Sequence, residues 1–419
     1  MTTILTGDSR ERLKELEDES IDALVTDPPY LINFMGKDWD KENSPAGDSS
    51  FWEEVLRVMK PGAHGLVFGH SRQHHRVMTA LEDAGFEIRD CLMWFYGSGF
   101  PKSHNIGKSV TKLQGDSDWE GWGTALKPAY EPIILVRKPL EKKLTIAKNV
   151  LKHGVGGINI DASRIGTTED FSNVKPRKMM SNQGSVKTDD HDHTASDTWQ
   201  AAKDKLQNLG RFPANVLLSH HPDCKVVGEV EDTRSGGERT KTIFSEKEPV
   251  SGGEGTGGTM KATTIRKVYE CDDDCAVKIL DEQSGTSKSS KRGNKYNKKT
   301  ENREGYTPVQ SDYREDNTYD DKGGASRFFY CAKVGKKERN AGDVRNTHPT
   351  VKPIKLMTYL TKLITPPNGK VLDPFMGSGS TGMACAMEGF DFVGIDMDEE
   401  YVEISKTRID WARAQKEND

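Results

Sequence analysis

Short apolar runs alternate with helical patterns along the first 140 residues of the chain. The runs at 21–26, 65–68, 90–96 and 131–136 predict β-strands, and apolar residues at helical spacing between them predict helices. This alternation is typical of a doubly wound, mostly parallel α/β sheet, and the last two runs indicate a hairpin-like strand pair. The sequence therefore predicts part of an α/β domain here.

The periodicity decays after residue 140 and returns at residue 326. Between these points the chain is largely polar, and a glycine-rich run at 251–259 indicates a linker. At 288–303, seven Lys or Arg residues accompany one acid. Such a run is usually solvated linker, although it also suits contact with phosphates. We therefore expect a core-poor insert at 141–325.

A glycine-rich loop near the C-terminal end joins a short apolar run to a helical pattern, which predicts strand, tight loop and helix. Backbone amides around Gly377 and Gly379 could face a carboxylate or phosphate. The loop is not a P-loop, because no Gly-Lys-Ser/Thr follows, and it does not match a strict dinucleotide fingerprint. The next apolar run ends in Asp396, as a ribose-binding strand ends in an acid. A simple helix-capping turn is the alternative.

A second motif, Asp-Pro-Pro-Tyr at 27–30, follows the first predicted strand. In open α/β sheets ligands bind at the carboxyl ends of strands, so an acid, two rigid prolines and an aromatic ring there form a preset pocket wall. The alternative is a strand-terminating turn, since Asp-Pro is good turn chemistry. In the loop that follows, Phe34 or Trp39 either forms a lid near the pocket or packs as an ordinary aromatic residue.

The two motifs, in this order, resemble the β-group of amino-methylating DNA methyltransferases, in which the Asp-Pro-Pro-Tyr block precedes a target-recognition insert and the cofactor loop comes last. The resemblance covers about residues 4–140 and 326–410. It implies a circularly permuted methyltransferase sheet, with its catalytic half at 1–140, a target-recognition insert at 141–325 and its cofactor-binding half at 326–419. The insert is similar to those of phage and prophage members.

The resemblance also implies S-adenosylmethionine as the cofactor, bound by the glycine loop, the segment 346–353 and the ends of two further strands. The implied cofactor-binding residues are Asp8, Thr347, His348, Pro349, Lys352, Asp373, Pro374, Phe375, Gly377, Ser378, Gly379, Ser380, Thr381 and Asp396. Asp396, which should take the ribose hydroxyls, stands where many relatives have Glu. Its reach is therefore slightly shorter.

The residue types of the first motif suit methylation of an exocyclic amine, whose lone pair is delocalised into the base. Asp27 and the carbonyl of Pro28 would localise that lone pair by accepting the two N–H hydrogens. Pro28 and Pro29 fix the direction of these acceptors, and Tyr30 would stack on a base flipped out of the duplex. An Asp at the first position favours adenine N6. Cytosine N4, whose enzymes more often carry Ser there, is the alternative.

Two other functions are weighed against this one. Cytosine-C5 chemistry is disfavoured because it needs a cysteine nucleophile and the chain has no Pro-Cys pair. A catalytically inactive DNA-binding protein on the same scaffold is an alternative of another class, against which the intact Asp27, Tyr30, Asp373 and Gly377 argue. The expected partner is double-stranded DNA, while a homodimer and a cognate restriction nuclease stay open.

Soft metal ligands occur in the two more apolar patches of the insert. His220 or His221 with Cys224, followed by Cys271 and Cys275, could form a tetrahedral zinc site that staples this core-poor segment. The spacing is looser than that of a zinc finger, and which histidine would bind is open. The alternative is that the cysteines are buried or free thiols in a reducing compartment.

Charge and hydropathy restrict the setting. A net charge of −5 over 419 residues gives no global sign of nucleic-acid binding, so any basic surface must be local. No run of about 18 apolar residues occurs, and the start of the chain lacks the charged and apolar regions of a signal peptide. We expect no membrane association and a cytoplasmic location, in a bacterial cell or a phage-infected host.

Overall fold

The computed structural model describes residues 1–32, 44–96, 103–165, 211–221, 223–234, 262–273, 275–285, 287–288, 322–323, 330–333 and 336–418. The predicted lid residues Phe34 and Trp39, the glycine-rich run and most of the basic run lie outside these ranges.

The strands in the described ranges are β1 (Thr2–Thr6), β2 (Ile21–Thr26), β3 (Met59–Phe68), β4 (Glu87–Phe95), β5 (Tyr130–Arg137), β6 (Val216–His220), β7 (Lys225–Arg234), β8 (Ala262–Glu270), β9 (Ser287–Lys288), β10 (Lys322–Gly323), β11 (Tyr330–Lys333), β12 (Lys370–Asp373) and β13 (Asp391–Asp396).

The helices are α1 (Ser9–Arg12), α2 (Ser49–Val58), α3 (His74–Asp83), α4 (Ile106–Gln114), α5 (Ile146–His153), α6 (Ala276–Ser284), α7 (Lys336–Arg339), α8 (Ile354–Ile364), α9 (Ser380–Glu388) and α10 (Glu399–Asn418). Short 3-10 turns occur at Leu13–Glu15, Pro45–Gly47 and Asp161–Ser163.

Within the described ranges, nine strands form one sheet in the order β1-β13-β12-β2-β3-β5-β4-β6-β11. β5 is antiparallel to both of its neighbours, β3 and β4, whereas every other pairing in this sheet is parallel. The predicted hairpin-like pair is therefore β4 with β5, and the other eight strands run in one direction. The strands β7 and β8 form a separate antiparallel pair, as do β9 and β10.

Alternate residues of β2 enter two apolar layers on opposite faces of the sheet. Ala23 and Val25 belong to the core cluster that includes buried residues of α8, α9 and α10. Leu24 belongs to the cluster that includes buried residues of α2 and α3. Because successive side chains of a strand point to opposite faces, the sheet carries helices on both sides. The predicted doubly wound, mostly parallel α/β fold is confirmed.

Both ends of the chain build this one sheet. β12 pairs with β2 through Val371 opposite Ala23 and Leu372 opposite Leu24. β13 pairs with β1, with Phe392 opposite Thr2. The expectation that a sheet begun at the N-terminal end is completed by C-terminal strands is confirmed.

Two details of the sheet differ from the pattern of the sequence. β3 starts at Met59 and passes through Pro61-Gly62, which sequence alone predicts as a break. The register against β2 shifts at this point, so the two residues occupy an irregularity of the strand, where a missing N–H and a positive φ at Gly62 are tolerated. β6, inside the predicted insert, pairs with β4 in the main sheet.

None of the helices in the described ranges is long and apolar enough to cross a membrane.

Candidate active site

Four aspartates lie at one edge of the sheet because each ends or follows a parallel strand. Asp8 follows β1, Asp396 ends β13, Asp373 ends β12 and Asp27 follows β2, and these four strands are adjacent in that order. The carboxyl ends of parallel strands are where open α/β sheets bind ligands. The two motifs, far apart in the sequence, thus meet at one edge.

Asp373 is buried, and both of its oxygens are bound inside the protein. Thr26 Oγ1 donates to Oδ1 at 2.7 Å, Thr381 Oγ1 donates to Oδ2 at 2.6 Å, and the amide of Phe375 donates to Oδ1 at 3.2 Å. Burial raises the pKa of Asp373 to about 7, against the opposing effect of the hydrogen bonds from Thr381 and Thr26. Asp373 therefore joins β2, the glycine loop and the start of α9.

Asp396 holds the glycine loop from the neighbouring strand. The amide of Gly377 donates to Asp396 Oδ2 at 2.7 Å, and the amide of Asp398 donates to Oδ1 at 2.9 Å. Gly377 and Gly379 both have positive φ angles, 51° and 80°, which an L side chain rarely adopts. Burial raises the pKa of Asp396. The conformation of the glycine loop thus depends on two glycines with positive φ angles and on the Asp396 carboxylate.

Arg408 supports the same loop from α10. Its side chain is fully buried, and Nη1 donates to the backbone oxygen of Ser378 at 2.5 Å and to Ser378 Oγ at 3.0 Å. Nη2 donates to the backbone oxygen of Glu338 at 3.2 Å. Burial lowers the pKa of Arg408 to about 10, so the guanidinium stays charged near neutral pH.

The segment 346–353 lies against the glycine loop. A Cβ added at Gly377 would be 2.7 Å from His348 Nε2, so the loop and this histidine are in close contact. His348 also packs its ring on Tyr401, with 4.6 Å between centroids, and Thr347 Oγ1 donates to Glu400 Oε1 at 2.7 Å. The predicted residues Thr347 and His348 are therefore fastened to α10 beside the loop.

Asp27 lies in a network with half-buried Tyr30 and Glu131 and the buried Lys352. Tyr30 OH is 2.6 Å from Asp27 Oδ1 and 2.9 Å from Glu131 Oε2, and its single proton can be donated to one of them at a time. Lys352 Nζ donates to Asp27 Oδ2 at 2.5 Å and to Tyr30 OH at 3.0 Å. It also lies 3.3 Å from Glu131 Oε2.

The charges in this network stabilise one another. Burial lowers the pKa of Lys352, but the nearby carboxylates of Asp27 and Glu131 outweigh it and raise the pKa above its usual value. Burial and the same two carboxylates raise the pKa of Tyr30 well above its usual value. At neutral pH, Lys352 is therefore a cation and Tyr30 a neutral hydrogen-bond donor. Asp27 is held by two donors and keeps further lone pairs for a ligand.

The remaining predicted residues lie along the same edge with different degrees of exposure. Asp8 caps α1 by accepting from the amide of Arg10 at 3.0 Å and also pairs with the Arg10 side chain. Pro28, Pro374, Gly379 and Ser380 are buried, whereas Pro29, Pro349 and Phe375 are half-buried.

The predicted metal ligands form a second group. Ligand atoms of His220, Cys224, Cys271 and Cys275 all lie within 4.8 Å of one another at the end of β6. His221 belongs to a separate group, where its Nδ1 lies 3.8 Å from carboxylate oxygens of two aspartates. The histidine that joins the cysteines is thus His220.

Sequence reasoning missed Glu131, Thr26 and Arg408. Glu131 opens β5, and because β5 is antiparallel its beginning lies at the carboxyl edge of the parallel strands. The signal available was an acid that opens an apolar strand in a predicted hairpin pair. Arg408 had a weaker signal, an arginine between the buried Ser405 and Ile409 on a helix. Lys352, which the resemblance assigns to the cofactor, donates to Asp27.

Comparison with known proteins adds a family to this geometry. The family model N6_N4_Mtase, described as DNA methylase, matches residues 21–407. The chain is 30% identical over 201 residues to the Type II methyltransferase M.HindIII of Haemophilus influenzae, and this alignment covers 37% of the chain and 64% of the relative. It is 31% identical over 171 residues to the Type II methyltransferase M.HinfI of Haemophilus influenzae, covering 36% of this chain and 43% of that one.

The matched region thus spans less than two thirds of either relative's length. Among solved structures, the cytosine-N4-specific PvuII DNA methyltransferase aligns with a TM-score of 0.41 and 15% identity, covering 97% of this chain and 86% of that one.

The buried Asp373 generates a prediction about pH. In the folded protein burial raises its pKa to about 7, whereas the ordinary pKa of an aspartate is 3.8. Between these values the folded state holds a proton that the unfolded state has lost, so this group's contribution to the free energy of unfolding falls as the pH rises. We expect Asp373→Asn to remove that fall.

Urea unfolding at about pH 4.5 and about pH 7.5 measures the effect. The wild-type protein should lose more stability across this interval than Asp373→Asn does. The exposed Asp118 provides the control, since Asp118→Asn should retain the wild-type difference. Equal pH dependence in the wild type and Asp373→Asn would contradict the raised pKa.

Proposed function

The chain belongs to the DNA methylase family whose model it matches over residues 21–407, and we propose that it transfers a methyl group from S-adenosylmethionine to the exocyclic N6 of a flipped-out adenine in double-stranded DNA. The observation that carries this proposal is the network of half-buried Asp27, Tyr30 and Glu131 around the buried Lys352, one strand away from the glycine loop. An acceptor for an amine and a loop for a nucleoside cofactor thus lie side by side.

The glycine loop has the chemistry that an adenosine-containing cofactor requires. Asp396 receives backbone N–H groups on both oxygens, yet a carboxylate offers about four lone-pair sites and so retains capacity for a ribose hydroxyl. The positive φ angles at Gly377 and Gly379 keep the loop backbone tight at the start of α9. S-adenosylmethionine, when bound there, supplies an electrophilic methyl group and leaves as S-adenosylhomocysteine.

On the base side, Asp27 and the carbonyl of Pro28 accept the two N–H hydrogens of the amine, which localises its lone pair for attack. Lys352 and Tyr30 orient Asp27 by donating to its two oxygens. As the new N–C bond forms, Asp27 accepts the surplus amine proton. The half-buried ring of Tyr30 offers a surface for stacking the extruded base.

The chain order supports the permuted β-group form of this family. The Asp-Pro-Pro-Tyr motif follows β2, the glycine loop follows β12, and the region between them includes the predicted target-recognition insert. We accordingly divide the protein into a catalytic half at 1–140, an insert at 141–325 and a cofactor-binding half at 326–419. Adenine N6 is favoured by the aspartate at the first position, and cytosine N4 is the alternative that the same pocket chemistry could serve.

Substitution of Asp27 separates the two halves of the site. We expect Asp27→Ala to lower methyl transfer by roughly 10²- to 10⁴-fold, the range for a positioned proton acceptor. Its affinity for S-adenosylmethionine should stay within a few-fold, because Asp27 acts on the base. Asp396→Ala, by contrast, should weaken the binding of S-adenosylmethionine as measured by calorimetry. Wild-type turnover in Asp27→Ala would contradict the catalytic role.

Lys352 tests whether the network orients Asp27 or serves the cofactor. Lys352→Met removes the ammonium that donates to Asp27 Oδ2, so Asp27 loses one of the two groups that orient it and methyl transfer should fall. We expect kcat to fall while cofactor affinity changes little. Lys355→Met, an exposed neighbour on α8, is the matched control. A loss confined to cofactor affinity would assign Lys352 to the cofactor instead.

The modified base can be read directly. Long-read sequencing of DNA from cells that express the protein should show N6-methyladenine in one sequence context, absent from cells that express Asp27→Ala. N4-methylcytosine in its place would overturn the choice of base while leaving the methyltransferase proposal intact. Unmodified DNA, together with retained DNA binding, would favour an inactive scaffold.

A further inference from the structure

Four soft ligands converge at the exit of β6, outside the candidate active site. His220 is the last residue of β6, Cys224 follows in the next turn, Cys271 comes directly after β8, and Cys275 immediately precedes α6. Their ligand atoms lie within 4.8 Å of one another. Residues about 50 positions apart in the chain are therefore brought to one point.

The distances match those of a tetrahedral metal site. His220 Nδ1 lies 3.4 Å from Cys271 Sγ and 3.6 Å from Cys275 Sγ. Zinc–sulfur bonds of about 2.3 Å and zinc–nitrogen bonds of about 2.1 Å at tetrahedral angles place neighbouring ligands roughly 3.6–3.8 Å apart. A single ion at the centre needs only small shifts of these side chains.

Local structure fixes the ligands of the cluster. The amide of Cys224 donates to the backbone oxygen of His221 at 3.0 Å, and the amide of Cys275 donates to the backbone oxygen of Asp272 at 3.1 Å. The ring of His220 is stacked on Tyr269, with 4.1 Å between centroids, so its orientation is set as well.

Packing alone accounts poorly for this cluster. Its apolar neighbourhood contains four buried residues in the described ranges, Leu218, Cys224, Cys275 and Val277, with five partly buried ones packed against them, and two of the four are the cysteines themselves. A bound metal is a common additional link in an apolar cluster this small. A disulfide would use two sulfurs and leave a third beside an imidazole nitrogen. All three cysteines are free thiols here.

We propose that His220, Cys224, Cys271 and Cys275 bind one zinc ion in a closed, structural site that fastens the β7–β8 pair and α6 to the carboxyl end of β6. Three sulfurs and one nitrogen fill the four positions of a tetrahedral zinc ion and leave none for a substrate. The ion therefore stabilises the fold and takes no part in chemistry.

The position of this site gives it a consequence for the rest of the protein. β6 is four strands from β2 in the sheet and parallel to it, so the zinc site lies at the same edge as Asp27, roughly 19 Å away at about 4.8 Å per strand. The inserted elements would thus be held beside the candidate base pocket. A role of these elements in target recognition rests on the proposed function. Zinc binding can be tested separately, by metal content instead of activity.

Elemental analysis of the full-length protein, purified under reducing conditions without a metal-affinity step, should find about one zinc per chain. Cys271→Ser and His220→Ala should lower this content several-fold. Two matched variants should keep it: His221→Ala, one residue further on, and Cys91→Ser, a half-buried cysteine of β4 outside the cluster. Zinc lost in His221→Ala but retained in His220→Ala would overturn the ligand set.

Two measurements on the unmutated chain cover the case in which ligand variants fail to fold. Cobalt(II) added to zinc-depleted wild-type protein should give the intense absorption of tetrahedral cobalt thiolate and lose it when zinc is added. Chelation of zinc should speed protease cleavage within 211–285 and leave the C-terminal part, 336–418, intact. Metal-free wild-type protein that resists protease, or a disulfide between two of the three cysteines in peptide mapping, would overturn the proposal.

Discussion

The buried hydrogen bond between Thr26 and Asp373 joins the N-terminal and C-terminal parts of the sheet at the candidate site. It links the last residue of β2 to the last residue of β12, 347 positions apart. These strands are parallel neighbours, so the bond lies at the carboxyl end of their pairing. Because β2 leads into Asp27 and β12 leads into the glycine loop, their relative position sets the distance between the proposed base pocket and the proposed cofactor loop. Parallel pairing gives coarse alignment, and the side-chain hydrogen bond fixes the two strand ends against each other.

The second constraint is electrostatic. Burial of the Lys352 ammonium is costly, and ion pairs in an apolar setting rarely add net stability over apolar residues of the same shape. What the network gains is direction, because Lys352 and Tyr30 fix both oxygens of Asp27. This favours a role in activity over one in stability. The segment before α8 contacts both motifs, through His348 against Gly377 and through Lys352 at Asp27.

Features that depend on residues close together in the chain could be predicted from the sequence, whereas contacts between distant residues could not. The strands, the glycine loop and the Asp-Pro-Pro-Tyr turn depend on local periodicity and turn chemistry, so the sequence pattern predicted them and the sheet confirms the fold. Glu131 and Arg408 act through contacts with residues 101 and 30 positions away, which no local pattern encodes. Lys352 was singled out, but its partner could not be assigned without the path of the chain. Likewise β6 is a five-residue run whose place in the sheet depends on β4 and β11.

The connection between β6 and β11 must run from one edge of the sheet to the other. β6 and β11 are parallel neighbours, so the chain leaves at the carboxyl end of β6 and must return to the amino edge of the sheet before it enters β11. Such a crossover is usually a helix with a long apolar stripe packed on the sheet. Here the described part of the crossover is a two-stranded pair, the nine-residue α6 and the short β9–β10 pair. A metal bound where β6 ends would supply the fixed attachment that an apolar stripe supplies elsewhere.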